Sequence, residues 1–160
     1  MKKLFVAILC IALLLTCAGC IFSTSDMPFN GDITFHEITM TIPTRFIRDS
    51  TQSTDALWIF EQGNYSEYII LSCKAANGDT EEALPSYVEY MEGNGANSQI
   101  ISFRGNDAVT SVYNMDGIFC QEILFIHQDA YYAIALRGGT EEGFAELTDT
   151  IQLTETEAQA

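Results

Sequence analysis

Basic residues are scarce in this chain: its 160 residues include seven Lys and Arg against 22 Asp and Glu, a formal charge of −15. A body this acidic repels nucleic acid and anionic headgroups, which excludes both as direct ligands. Histidine is limited to His36 and His127, tryptophan to Trp58, and proline to three positions. No apolar run approaches the roughly 20 residues a membrane-spanning helix requires. The longest uncharged one is Leu4–Leu15. Also missing are a G-x-S-x-G elbow, a P-loop, an H-E-x-x-H pair, a dinucleotide fingerprint and a D-x-[DN]-x-[DN]-G calcium loop. These absences leave few routes to nucleophilic, nucleotide-dependent or metal-assisted chemistry, and no cofactor is expected.

What is present begins at the N-terminus. Met1-Lys2-Lys3 is a short positive region, followed by the apolar run and then Leu13-Leu14-Leu15-Thr16-Cys17-Ala18-Gly19-Cys20. Charge, apolar stretch and small residues in this order read as a targeting segment. The stretch resembles the lipobox of bacterial lipoproteins, whose cysteine becomes the acylated first residue of the mature chain. The resemblance implies that Cys20 is the attachment point to the lipid bilayer on the extracytoplasmic face. One position departs from the pattern: Cys17 stands where leucine is usual, and it is a rival acceptor flanked less suitably by Leu15-Thr16. Cys17-x-x-Cys20 also has redox or metal spacing. A thioredoxin-like pair, however, follows a strand and opens a helix, whereas this one closes an apolar run and opens a Ser/Thr/Asp/Pro stretch.

The remaining organisation follows from periodicity. Residues 1–19 are read as the targeting segment, 20–31 as the lipidated cysteine and a flexible tether, 32–153 as a single domain and 154–160 as a polar tail. Alternation at Ile38, Met40 and Ile42 predicts a strand that Pro43 ends. Short strands are expected at Phe46-Ile47, Ala56–Phe60 and Tyr68–Cys73. A first helix opens near Thr80–Glu82, or later so that Pro85 lies in its first turn, with Leu84, Val88 and Met91 on one face and Gly93 and Gly95 as its stop. Turns at 104–107, 114–117 and 127–130 then divide a meander of strands near Gln99–Phe103, Ala108–Tyr113, Ile118–Ile126 and Tyr131–Leu136. Connections this short demand antiparallel neighbours. Ile118–Ile126 is apolar in both phases apart from Gln121 and Glu122, as expected of a central strand covered on both faces. Thr140 caps a second helix whose Phe144, Leu147 and Ile151 face inward. The sum is an α+β fold: an antiparallel sheet of seven to eight strands with two helices packed against it.

Among possible site residues, Cys73 and Cys120 are the cysteines outside the N-terminal segment. Both lie mid-strand in apolar surroundings and read as buried free thiols, with a Cys73–Cys120 disulfide as the alternative that an extracytoplasmic setting permits. Trp58 reads as a packing residue, with ligand stacking as the alternative. His36 falls in the first strand and His127 at a hairpin end, and neither sits in a catalytic pattern. Glu81/Glu82 and Glu141/Glu142 are sequence neighbours whose side chains diverge on a helix, which argues against an acid/base pair.

Thr41-Ile42-Pro43-Thr44-Arg45-Phe46, Gly105-Asn106-Asp107-Ala108-Val109, the Tyr113–Gly117 turn, Tyr131-Tyr132-Ala133-Ile134-Ala135-Leu136 and a terminal amphipathic helix occur in an order that resembles the PsbP-like fold. That fold is shared by photosystem extrinsic proteins, a nuclear Ran-GTPase release factor and small bacterial lipoproteins. The resemblance, over about residues 33–153, implies a non-enzymatic accessory or binding domain and transfers no functional residue. The expected function is thus a membrane-anchored domain serving another cell-envelope protein. The alternatives are a small-molecule or cation-binding module in a sheet–helix cleft and, more remotely, a hydrolase dependent on His36 or His127.

Overall fold

The computed structural model describes residues 31–63, 65–76 and 82–154. Ten strands and two helices follow one another as β1 (Gly31–Phe35), β2 (Ile38–Ile42), β3 (Phe46–Arg48), β4 (Leu57–Gln62), β5 (Tyr68–Ala75), α1 (Ala83–Gly93), β6 (Asn97–Phe103), β7 (Asn106–Met115), β8 (Ile118–His127), β9 (Ala130–Arg137), α2 (Glu141–Asp149) and β10 (Gln152–Leu153). Seven strands form one antiparallel sheet in the order β3-β4-β5-β9-β8-β7-β6, and β1-β2-β10 form a second, small sheet. None of the described helices is long and apolar enough to cross a membrane.

The two phases of the large sheet bury different partners. On one face Phe60, Leu71, Phe125, Tyr132, Ile134 and Leu136 pack against Phe35, Ile38 and Met40 of the small sheet and Phe144 and Leu147 of α2. On the other, Val109, Leu124 and Tyr131 meet Leu84, Tyr87 and Met91 of α1. Leu124 and Phe125 are adjacent in sequence and belong to opposite faces, the period-2 consequence of a pleated strand. β8 sits between β7 and β9, so the central strand expected at Ile118–Ile126 is central and covered on both sides.

Local chemistry accounts for the element ends. Left-handed φ values at Arg104-Gly105 and Asp116-Gly117 close the β6–β7 and β7–β8 hairpins, the geometry that suits the twist of two-residue turns. α1 starts at Ala83, which places Pro85 among the first helical residues whose N–H groups have no intrahelical partner. Tyr87 takes a buried place on its inner face beside Leu84 and Met91, while Val88 is half-buried. The Thr140 side chain accepts a hydrogen bond from the Gly143 N–H at 3.1 Å. Thr140→Ala should therefore cost about 1 kcal/mol in denaturant unfolding; an unchanged midpoint would remove the cap from the account.

Three expectations are corrected. The chain is already paired at Gly31, because β1 lies antiparallel to β2 from Gly31↔Ile42 to Phe35↔Ile38. The first strand of the domain thus takes in Gly31, the last residue of the expected tether. His36 is not in a strand: it occupies the β1–β2 turn with φ +53°. Ile151 is buried but not helical, since α2 ends at Asp149 and the chain turns into β10, which pairs Gln152 and Leu153 with Thr39 and Ile38 of β2. The large sheet has the seven strands expected of the α+β fold, and β1, β2 and β10 form the second, small sheet beside it.

Candidate functional site

The residue that stands out is Glu122, in the middle of β8 and 5% exposed. Its cross-strand neighbours are Ser111 of β7 and Ala135 of β9, and the small Ala135 leaves room above the sheet. Glu122 shares its phase with Leu124, so it points toward α1. There the Tyr87 hydroxyl donates to one carboxyl oxygen, Oε1, and the Tyr113 hydroxyl donates to Oε2 at 3.2 Å. Beside them the fully buried Ser111 and the buried Ser98 share a hydrogen bond at 2.8 Å. A polar lane Ser98–Ser111–Glu122 thus crosses three strands beneath the helix. The next row on the same face is Tyr113–Cys120–Arg137–Tyr68.

Burial dominates the electrostatics of this cluster. Removal from water pushes the Glu122 carboxyl above its ordinary value, and donation from Tyr87 and Tyr113 offsets that only in part. Burial and the adjacent Glu122 carboxylate raise both tyrosines far above their usual range. The Cys120 thiol is raised chiefly by burial, with Arg137 pulling the other way. Two hydroxyl donors and one acid make a proton-holding site that ties helix to sheet. Nothing in the sequence pattern singled it out. The available signal was an acid inside the apolar run Ile118–Ile126, since a charge buried there needs donors.

The other candidates lie elsewhere. Cys20 and Cys17 fall outside the described residues. Cys73 and Cys120 are free thiols, and the disulfide alternative fails on geometry. Cys73 pairs with Tyr132 of β9 and Cys120 with Arg137 of the same strand, five residues further along. They are also on opposite faces, Cys73 packing toward the small sheet and Cys120 lying in the row beneath Tyr113. No rotamer brings such sulfurs to bonding distance. His36 Nε2 lies 2.8 Å from the Asp55 carbonyl oxygen, and His127 Nε2 lies 3.2 Å from that of Thr154. A carbonyl only accepts, so each Nε2 donates and none of the two is presented as a base at that atom. Glu82, Glu141 and Glu142 are exposed, and Glu81 is outside the described residues. The Trp58 ring packs against Phe35 at 5.1 Å and carries the Arg48 guanidinium 3.8 Å over its face, so a neighbour already stacks on it. Among the described residues, no group of three or more His, Cys, Asp and Glu is placed to hold a metal ion.

No family model matches the chain, and no curated protein does. Several solved structures resemble it in shape, among them the following two. One is a crystal structure from Bacteroides thetaiotaomicron VPI-5482, at a TM-score of 0.55 and 12% identity over 84% of this chain. The chain spans about half of that protein, 52% of its length. The other is the solution structure of cyanobacterial PsbP (CyanoP) from Synechocystis sp. PCC 6803, at a TM-score of 0.55 and 11% identity, covering 87% of this chain and 98% of that one. Two helices on antiparallel sheets, matched over nearly the full length of CyanoP, establish that the described residues adopt a PsbP-like α+β fold.

Proposed function

We propose that this chain is a lipid-anchored accessory protein of the bacterial cell envelope, held at the extracytoplasmic face through acylated Cys20 and serving a protein partner without catalysing a reaction. The observation that carries the reading is the lipobox-like Leu13–Cys20 stretch placed just ahead of an acidic folded domain. Two or more acyl chains on one cysteine are enough for stable anchoring, at about 0.8 kcal/mol per buried methylene. The inward-facing chemistry of the domain supports the same reading. Its buried acid is enclosed by tyrosines, and the Nε2 atoms of both histidines donate to backbone carbonyls.

Metabolic labelling with palmitate is the direct test. Labelling of the parent chain, lost in Cys20→Ala, is the expected result. Labelling that persists in Cys20→Ala moves the acceptor to Cys17, and a parent chain that takes up no label ends the lipoprotein reading. Cross-linking in intact cells addresses the partner, with recovery of a discrete heteromeric adduct expected.

A further inference from the structure

Sheet edges expose unpaired N–H and C=O groups, and folded proteins blunt them with charge, proline, bulges or brevity. Three of the four edges among the described residues are blunted in this way. β10 is two residues long. β3 is three residues long, ends in Arg48 and follows Pro43 and Arg45. β1 carries the exposed Asp32. β6 is different. It is the terminal strand of the large sheet, pairs with β7 over seven consecutive residues from Asn97↔Val112 to Phe103↔Asn106 without a bulge, and reads Asn-Ser-Gln-Ile-Ile-Ser-Phe. It contains neither a charge nor a proline. Ile100, its middle residue, is 53% exposed, and Ile101 and Phe103 are half-buried on the opposite face.

We propose that β6 is the interface of a symmetric dimer, in which the β6 strands of two copies pair antiparallel about Ile100 and join the large sheets edge to edge. The occupant is argued from charge and register. A basic peptide would be recognised by acids along the edge, and β6 has none. A neutral strand fits a neutral edge, and in a chain of net charge −15 this is a strip along which two copies meet without opposing carboxylates on the paired strands. With Ile100 opposite Ile100, Ser98 faces Ser102, Gln99 faces Ile101 and Asn97 faces Phe103, so all seven residues pair. The two isoleucines then cover each other on the α1 side of the joined sheet, as cross-strand neighbours do. Two-fold pairing consumes both edges, so assembly stops at two.

The experiment is sedimentation of the full-length chain in buoyancy-matched detergent, with Ile100→Lys as the variant. The expected result is a dimer for the parent and a monomer for Ile100→Lys, the variant keeping the parental circular dichroism and unfolding midpoint. A monomeric parent at every concentration overturns the proposal, as does a dimer that survives a folded Ile100→Lys. Should the lysine variant fail to fold, Ile100→Cys decides: copper–phenanthroline oxidation must give a covalent dimer that the parent, with its own cysteines, does not form. Its absence overturns the proposal. Slow amide exchange along β6 in a monomer would mean that another segment of the chain covers the edge, and overturns it equally.

Discussion

Gly138→Ala should destabilise the domain by about 4 kcal/mol, roughly 1–2 from forcing an L-residue into left-handed backbone and the rest from overpacking. Gly138 ends β9 with φ +80° and donates its N–H to the Phe119 carbonyl at 2.8 Å. A β-carbon built there lies 1.9 Å from the Ser66 carbonyl oxygen and 3.0 Å from its carbon. These are backbone atoms just ahead of β5, whose Tyr68 pairs with Arg137, so relief requires parting the ends of two strands in the middle of the large sheet. Gly105 and Gly117 supply the internal controls. Both have φ +80°, and an added β-carbon at either meets nothing within 4 Å, so their alanine variants should lose only the backbone contribution, about 1 kcal/mol. Urea unfolding of the three variants separates strain from collision. A Gly138→Ala midpoint level with the other two would show that the β5–β9 junction yields easily. Against a total stability of about 5–15 kcal/mol, 4 is a large fraction, and the variant is expected to be the least soluble of the three.

The fold was legible where one physical rule acted alone. Alternation over Ile38–Ile42, the short polar turns at 104–107, 114–117 and 127–130, and Thr140 before two acids each specify a local structure, and each is present. The errors fall where a local rule met a tertiary one. Gly31–Phe35 holds only two buried apolar side chains, Ile33 and Phe35, too few for periodicity to register, and it becomes a strand because β2 offers it an edge. Ile151 keeps helical spacing with Leu147 yet leaves the helix, because the Ile151 N–H bonds the Thr148 carbonyl at 3.2 Å and the chain must turn to reach β2. The spacing of the histidines offers no catalytic partner in the sequence, and in the fold the Nε2 atom of each donates to a backbone carbonyl.

The candidate site was less legible for a related reason. Tyr87 and Tyr113 are 35 and 9 residues from Glu122 in sequence, and only the packing of α1 over β7 and β8 brings both hydroxyls to one carboxyl. The helical spacing of Leu84, Val88 and Met91 does not include Tyr87, and Tyr113 only closes the strand expected at Ala108–Tyr113. Their shared purpose depends on Glu122 being buried, and burial of an acid is the one property that its residue type argues against.

That burial gives the second large effect, a loss of stability as pH rises, removed by Glu122→Gln. The folded-state pKa of Glu122 is raised above its ordinary 4.5 by burial, with Tyr87 and Tyr113 opposing. The folded protein therefore holds the proton more tightly than the unfolded chain. The stabilisation is complete below about pH 4.5 and declines as pH climbs through the raised folded value, by at most about 1.4 kcal/mol per pH unit. Asp49 has the opposite sign. Burial would raise its carboxyl, but donation from the side chains and backbone of Thr51 and Gln52 together holds it below 3.8, so its contribution is lost only as pH falls below that value. Cys120, Tyr113 and Tyr87, the other titratable groups on this face near Glu122, have ordinary values of 9.0 and 10.0 that are raised further. The interval from pH 4.5 to 8 thus isolates Glu122 within this cluster. Glutamine keeps the volume and an acceptor for one tyrosine while removing the titration. Unfolding free energies measured across that interval should converge for parent and variant near pH 4.5 and separate toward pH 8, where Glu122→Gln is the more stable. A difference that stays constant with pH would mean that Glu122 carries the same protonation in folded and unfolded chains, and the proton-holding role of the cluster would fall with it.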